Sequence, residues 1–431
     1  MARVIEQAGV SVAPTGSTGV QVNEFEAAIK SVTSSTTVGA VFIYDTRNDS
    51  DGGAWRKKTQ GLSWYDETLN TATRGGRREF PSVALIVADN ASGTKTVTIY
   101  DLDDPSMPMW MVFNGGGVVS TDGTNELFVN TQTLTSIFAL NGRLSVGATG
   151  YGYHSVNFTD ETIEFRENGY YRTYAGGVVN RNGGLIMSAD LGSSGWLAHD
   201  AVNDIAMTVL EGAEIGALGL PIPTIAVACG PSGSAGGVSI IHPNGDVFTK
   251  TTTVVSVTKC EFTKSGLAIS QNDYIVRFAN SELYANGSGS YPSSFVNNGT
   301  IQIIRQNGTA PSLNLLRGTD NDEGFVCTGG DDFATGSPDG LSLLKWNNGN
   351  PQEGAVAYVT SSYNTGYQLG DIRFAGLAGS GNAGQDVEDR SVKGNTLTKT
   401  GSITSTAVAT SAELHAYSGF TSGGSGNNLA R

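Results

Sequence analysis

The sequence is short of charge, of cysteine and of long apolar runs, and each scarcity removes a class of protein. Only 15% of its residues are Asp, Glu, Lys or Arg, well below the usual quarter of a globular chain. Its three cysteines, Cys229, Cys260 and Cys327, stand far apart without C-x-x-C spacing. That excludes a disulfide framework and a zinc knuckle, and leaves them to act as small buried hydrophobes. No stretch approaches the ~20 apolar residues of a membrane-spanning helix. The opening MARVIEQAGVSVAPTG lacks the apolar core of a signal peptide. The expectation is a soluble chain made in the cytoplasm, without membrane insertion.

Catalytic signatures are scarce too. The four histidines, His154, His199, His242 and His415, are scattered singly, and His242, in HPNGD, reads as a turn residue. There is no G-x-S-x-G elbow, no H-E-x-x-H and no phosphate-binding G-x-x-x-x-G-K-[ST] loop. A glycosidase needs only two carboxylates at a set separation, and 40 acidic residues leave any such pair unplaced. No catalytic residue, cofactor or metal is therefore assigned, and the expectation is a protein that is not an enzyme. Basic residues number 26 against those 40, a net charge of −14. Such a surface repels phosphate backbones, so no nucleic-acid partner is expected.

What is abundant is glycine, 58 of 431 residues, together with Ser, Thr and Asn. These residues lose free energy in helix interiors and favour turns. Asn-Gly, the strongest short hairpin signal because a type I′ turn needs two positive φ angles, occurs at Asn114, Asn141, Asn168, Asn182, Asn244, Asn286, Asn298, Asn307 and Asn348. SIFALNGRLSVGA (136–148) and VSIIHPNGDVFTK (238–250) read as strand, turn, strand. LAISQNDYIVRF (267–278) and LSLLKWNNGNPQEGAVAYVT (341–360) repeat the layout with other turns. The fold class is all-β. The span 81–378 allows a β-propeller of about six blades at ~40–50 residues each, and tandem β-sandwiches are the competing architecture. Residues 1–40 form an N-terminal arm with a short helix over VNEFEAAIKSV (22–32). Residues 41–80 make a connector, and the polar tail 379–431 reads as a linker.

The connector contains DTRNDSDGGAWRKK, 45–58. As an EF-hand loop it fails, because with Gly52 at the turn position Arg47 and Lys58 occupy the two end positions where oxygen ligands are needed. A calcium site of another geometry stays open at this stage. DSDGGAW (49–55) approaches the Asp-box turn of sialidase-type propellers, one residue short of its tryptophan spacing, and that box is itself structural. Arg56, Lys57, Lys58, Arg74, Arg77 and Arg78 lie among Asp45, Asp49, Asp51, Asp66, Glu67 and Glu79, a balance that favours internal pairing over a phosphate patch. The residues expected to build a docking or structural block are Asp45, Asp51, Gly52, Gly53, Trp55, Arg56, Trp64, Arg77 and Arg78. Asp51-Gly52-Gly53 supplies a tight turn. Trp55 and Trp64 supply buried rings with N–H donors.

Three blocks carry a family resemblance: AVFIYDTRNDSDGGAWRKKTQGLSWYDETLNTATRGGRREFPSVALIV (40–87), LPIPTIAVACG through GVSIIHPNG (220–245) and GLSLLKWNNGNPQEGAVAYVTSSYNTGYQLGDIR (340–373). The chain resembles large virion proteins of marine tailed bacteriophages over most of 40–380. The resemblance implies a propeller-type structural protein of the tail or tail fibre, acting in assembly or host attachment. It implies other virion proteins as partners, with residues 1–40 as the virion-docking arm, a homo-oligomer of three- or sixfold symmetry, and a host-surface glycan as a further partner. In such proteins EDRSV (388–392) and AYSGF (416–420) lead towards a laminin-G-like jelly roll, which this sequence, ending at Arg431, does not contain. Two other functions stay open: a tail-associated polysaccharide depolymerase of sialidase type, and a carbohydrate-binding module.

Overall fold

In the computed structural model the described residues are 29–91, 95–114, 127, 132–183, 185–192, 196–231, 235–252, 256–271, 274–284, 286–288 and a set of short strands beyond 300. The chain divides into two compact units, the first made of 1–231 and 235–251, the second of 232–234 and 252–431. The division falls inside the span 81–378 in which the sequence marks no boundary.

The first unit is built from three antiparallel sheets. The first holds β1 (Val38–Asp45), β2 (Val83–Asp89), β3 (Thr96–Asp101) and β4 (Met109–Asn114). The second holds β5 (Leu134–Leu140), β6 (Arg143–Ala148), β7 (Tyr153–Asn157), β8 (Ile163–Arg166), β9 (Tyr171–Ala175) and β10 (Ile186–Asp190). In the third, β11 (Val202–Thr208), β12 (Thr224–Cys229), β13 (Gly236–Ile241) and β14 (Val247–Thr252) lie side by side. Every strand pairs with its neighbour in sequence. This is the meander of a propeller blade, whereas immunoglobulin-type sandwiches need Greek-key crossings.

The leading strands of the three sheets adjoin one another. β1 meets β5 through Phe42 and Phe138, whose rings lie 4.9 Å apart. β5 meets β11 where Thr135 donates to the Val202 carbonyl at 2.6 Å and Ser136 to Asp204 at 3.0 Å. Leading strand beside leading strand is a blade-like order. The fold is all-β and propeller-like within this unit.

Residue pattern explains each strand. β2, VALIVAD, is buried along its whole middle, as a strand covered on both faces should be. β3, TVTIYD, alternates between buried and half-buried positions. The Asn141-Gly142 pair has φ of 51° and 75° and closes β5 onto β6, the type I′ hairpin its sequence predicts. The 238–250 and 267–278 hairpins also form, as β13–β14 and as Gly266–Gln271 paired with Tyr274–Ala279. The second strand of the expected 341–360 hairpin lies outside the described residues. A core of Trp55, Trp64, Phe80, Trp110, Phe113 and Phe158 joins the first two sheets. A second core, with Val202, Ile225 and Val227, joins the second and third. Among the described residues helix is confined to 29–33 and short 3-10 turns. Ile29 and Val32 of the expected N-terminal helix pack on Ile43, Leu85 and Val87, and the part at 22–28 lies outside the described residues.

In the second unit, β15 (Lys259–Thr263), β16 (Gly266–Gln271), β17 (Tyr274–Ala279) and the strand Ile301–Arg305 form a sheet in that order. Phe325–Cys327, Phe333–Ser337 and Gly340–Leu344 form a three-stranded sheet. Paired short strands continue to Asn428–Ala430, within the segment read as a linker. Among the described residues no helix is long and apolar enough to cross a membrane.

Candidate functional site

Residues 46–82 leave the first sheet between β1 and β2 and fold over the seam between the first and second sheets. Asp51 starts this excursion's tight turn. Its carboxylate accepts from the Gly53 amide at 3.0 Å, and Gly52 and Gly53 have φ of 67° and 79°. A Cβ on Gly53 would meet Thr46 Oγ1 at 2.7 Å and the Thr46 carbonyl oxygen at 2.9 Å, so this position needs glycine on two counts. The other oxygen of Asp51 lies 3.7 Å from Lys58 Nζ.

The turn delivers Trp55 into the core, fully buried. Its indole N–H donates to Asp49 Oδ2 at 2.7 Å. Tyr44 donates to the same oxygen at 2.6 Å, and the Asn141 amide to Asp49 Oδ1 at 2.8 Å. Tyr44 Oη in turn accepts from the Gly142 amide at 2.8 Å. The Asn141 side chain donates to Ser50 Oγ and to the Pro221 carbonyl. Asp49 therefore ties the connector to the β5–β6 turn, and Asn141 ties that turn to the loop before β12. Burial holds the Asp49 carboxyl above its usual range, against the lowering effect of its donors. Burial likewise pushes the Tyr44 hydroxyl well up, with the neighbouring Asp49 adding to it.

The remaining candidates are also paired internally. Trp64 is buried, donates to the Phe158 carbonyl at 3.0 Å and meets Trp110 edge-on at 5.5 Å. Asp45 takes three hydrogen bonds from Arg47, which lower its pKa. Arg56 holds Glu79 at 3.1 Å and the Phe80 carbonyl at 2.9 Å. Arg77 bridges Asp101 at 2.9 Å and Asp103 at 2.6 Å. Arg78 donates to the Tyr65 carbonyl at 2.7 Å and stands 3.9 Å from Asp66.

Sequence reasoning placed Arg74 and Glu67 in a charge block expected to pair internally, and did not find their partner Arg181. Arg74 is fully buried, lies over the Trp110 ring at 4.3 Å and donates to the Trp110 and Arg78 carbonyls. Desolvation brings its pKa down to about 10 even with Glu67 opposing. Arg181, from the segment between β9 and β10, grips Glu67 with two bonds of 2.9 and 3.0 Å. It also caps the Thr73 and Val112 carbonyls. Asn182 bonds the Val112 carbonyl and the Asn114 amide, and the backbone of residues 73–75 pairs with Trp110 and Val112, so the outer edge of β4 is covered by backbone and side chains together. For Arg181 and Asn182 the sequence offered the Asn-Gly turn at 182–183 as its signal.

Elsewhere the buried charges are likewise engaged. Glu164 Oε2 lies 3.5 Å from Arg143 Nη1 and 3.7 Å from Arg166 Nε. Arg166 covers the Tyr171 ring at 3.6 Å. His242 is buried in the β13–β14 turn, where its backbone pairs with Asp246 and Gly245. Cys229 and Cys260 are buried thiols outside any disulfide, and burial pushes the Cys229 thiol up to about 12. Among the described residues no cluster of three or more His, Cys, Asp or Glu could hold a metal. A cleft of about 30 Å³ lies between Asn141, Arg143, Asn157, Asp160 and the Pro221–Pro223 segment. It has room for a water or two, not for a sugar ring.

One corner of the unit differs. Tyr170 is 46% exposed in the β8–β9 turn, and Trp196, after β10, is 41% exposed. The Leu197 amide donates to the Glu167 carbonyl and the Leu191 amide to the Tyr171 carbonyl. These bonds bring the β8–β9 turn and the segment after β10 together. Tyr170 lies over the Arg172 guanidinium at 4.7 Å, and Arg172 stands 3.8 Å from Asp190.

No family model and no curated protein matches the chain. Among solved structures it is similar to Hsv2 from Kluyveromyces marxianus, at 8% identity and a TM-score of 0.29 over 61% of this chain and 75% of that one. Hsv2p from Kluyveromyces lactis gives 9% and 0.24 over 65% and 94%. The exo-β-1,3-galactanase 1,3Gal43A from Clostridium thermocellum gives 10% and 0.23 over 81% and 80%. Likenesses this loose assign neither fold nor activity.

Proposed function

We propose that the protein is a non-enzymatic structural component of a tailed-phage virion, in the tail or its fibres, acting in assembly or host attachment. The observation that supports this reading most is the use made of the connector's charged and aromatic groups. Asp49, Glu67, Arg74 and Arg181 are spent on bonds that fasten sheet to sheet, which suits a rigid building block. The resemblance of residues 40–87, 220–245 and 340–373 to marine phage virion proteins points the same way. The propeller of about six blades, at ~40–50 residues per blade, and a ring-like homo-oligomer matching the tail axis belong to this proposal. So does its location in the particle after synthesis in the host cytoplasm.

Mass spectrometry of purified particles tests it. The chain should be present in stoichiometric amount, and its absence from particles would overturn the assignment. A carbohydrate-binding role is favoured by a separate observation, the exposed rings at Tyr170 and Trp196.

A further inference from the structure

We infer that the outer corner of the second sheet, where Tyr170 and Trp196 stand exposed beside Arg172 and Asp190, binds uncharged hexopyranose chains. Among the described residues of this unit the other aromatic rings are buried or half-buried: Trp55, Trp64 and Trp110 are all at most 1% exposed, and Tyr65, Tyr151 and Tyr171 are half-buried. Leaving a large ring in water forgoes the stabilisation its burial would give, so two at one corner call for a reason. Both are held in place. The Trp196 indole N–H is already bonded to the Gly192 carbonyl at 3.0 Å, which fixes the ring without a ligand. Tyr170 rests on Arg172, which also lies 6.0 Å from the Phe165 ring. A pre-set ring loses little entropy when a ligand stacks on it.

A ring face carries partial negative charge, and the axial C–H groups of a pyranose present a weakly positive, apolar surface to it. Charge selects among sugars. Arg172 is taken up by Asp190 at 3.8 Å, and Asp200, whose Oδ1 accepts from the Asn168 amide, adds a second carboxylate to the corner. Carboxylates accept hydrogen bonds from sugar hydroxyls but repel uronate or sialate groups. The corner therefore fits neutral chains and not acidic ones. This deepens the attachment reading above and rests on it. Particle composition tests that reading and solution binding tests this one, so the two can fail separately.

The experiment is calorimetric titration of the full chain with maltohexaose, cellohexaose and laminarihexaose, and with oligogalacturonate as the acidic control. At least one neutral hexasaccharide should bind and oligogalacturonate should not. Trp196→Ala and Tyr170→Ala should each weaken binding tenfold or more with an unchanged melting temperature. Trp196→Phe, which keeps a ring, should retain most of it. The inference is overturned if none of the three neutral probes binds or if oligogalacturonate binds more tightly. It is equally overturned if Trp196→Ala leaves affinity intact, or if Trp196→Phe loses as much as Trp196→Ala.

Discussion

At the scale of single residues, Asp49 and Asp51 show how two carboxylates in one short stretch come to matter differently. Asp49 is buried and accepts from Tyr44, Trp55 and the Asn141 amide. An asparagine there has one acceptor oxygen, and either orientation of its amide turns an NH₂ group onto a donor. Removing the buried charge recovers some desolvation free energy, but a donor left unbonded costs about 1–3 kcal/mol. Asp49→Asn should therefore destabilise the fold by about 2 kcal/mol. Asp51→Asn keeps the acceptor for the Gly53 amide and loses only the half-exposed Lys58 contact. Pairs of that kind contribute about 0–1 kcal/mol, so its effect should be small. Trp55→Ala, which empties a fully buried site, should cost about 3–5 kcal/mol. Urea midpoints of the three variants give the ranking, and an Asp51→Asn loss as large as that of Asp49→Asn would refute this account. The sequence marked the turn and the tryptophan but could not rank the two acids, because what separates them is a hairpin 92 positions away.

At the scale of elements, strands announced themselves where a turn has strict backbone needs. Asn141-Gly142 and the alternating residues around it are enough to place β5 and β6. β7 is harder to read, since YHSVN is buried at every position and shows no alternation. It carries a buried histidine. His154 packs on Phe165 with ring centroids 4.9 Å apart, and burial brings its pKa down to about 3. In the unfolded chain histidine titrates near ~6.5. Between those values the unfolded state binds the extra proton, so stability rises with pH there and is lost as pH falls below ~6.5. The slope should be about 1.4 kcal/mol per pH unit from this one group. Asp49, with its pKa raised, acts in the opposite sense, losing stability as pH rises through its folded value. Asp103, brought down to about 2, contributes only at lower pH. Comparing the native chain with His154→Gln between pH 5 and 6.5 cancels both. The variant should have a slope shallower by about one proton near pH 5 and about half a proton near pH 6.5, and equal slopes would show that His154 is not held neutral.

At the scale of the whole molecule, composition was enough for the all-β class, because glycine and asparagine at these frequencies leave helices few places to form. It was not enough for the arrangement of the parts. Arg181–Glu67 and Asn141–Ser50 join residues 114 and 91 positions apart, and no periodicity records such pairings. They concentrate in the first unit, where, among the described residues, apolar clusters form from residues up to Val247. A unit that contains its own cores and its own cross-sheet bonds should fold without the rest of the chain. A fragment ending at Thr251 should therefore unfold in one cooperative urea transition. It should also keep the near-ultraviolet circular dichroism expected of Trp55, Trp64 and Trp110, all buried within it. Broad, non-cooperative unfolding with no near-ultraviolet signal, as a loosely packed chain would give, would show that the first unit depends on residues beyond 251.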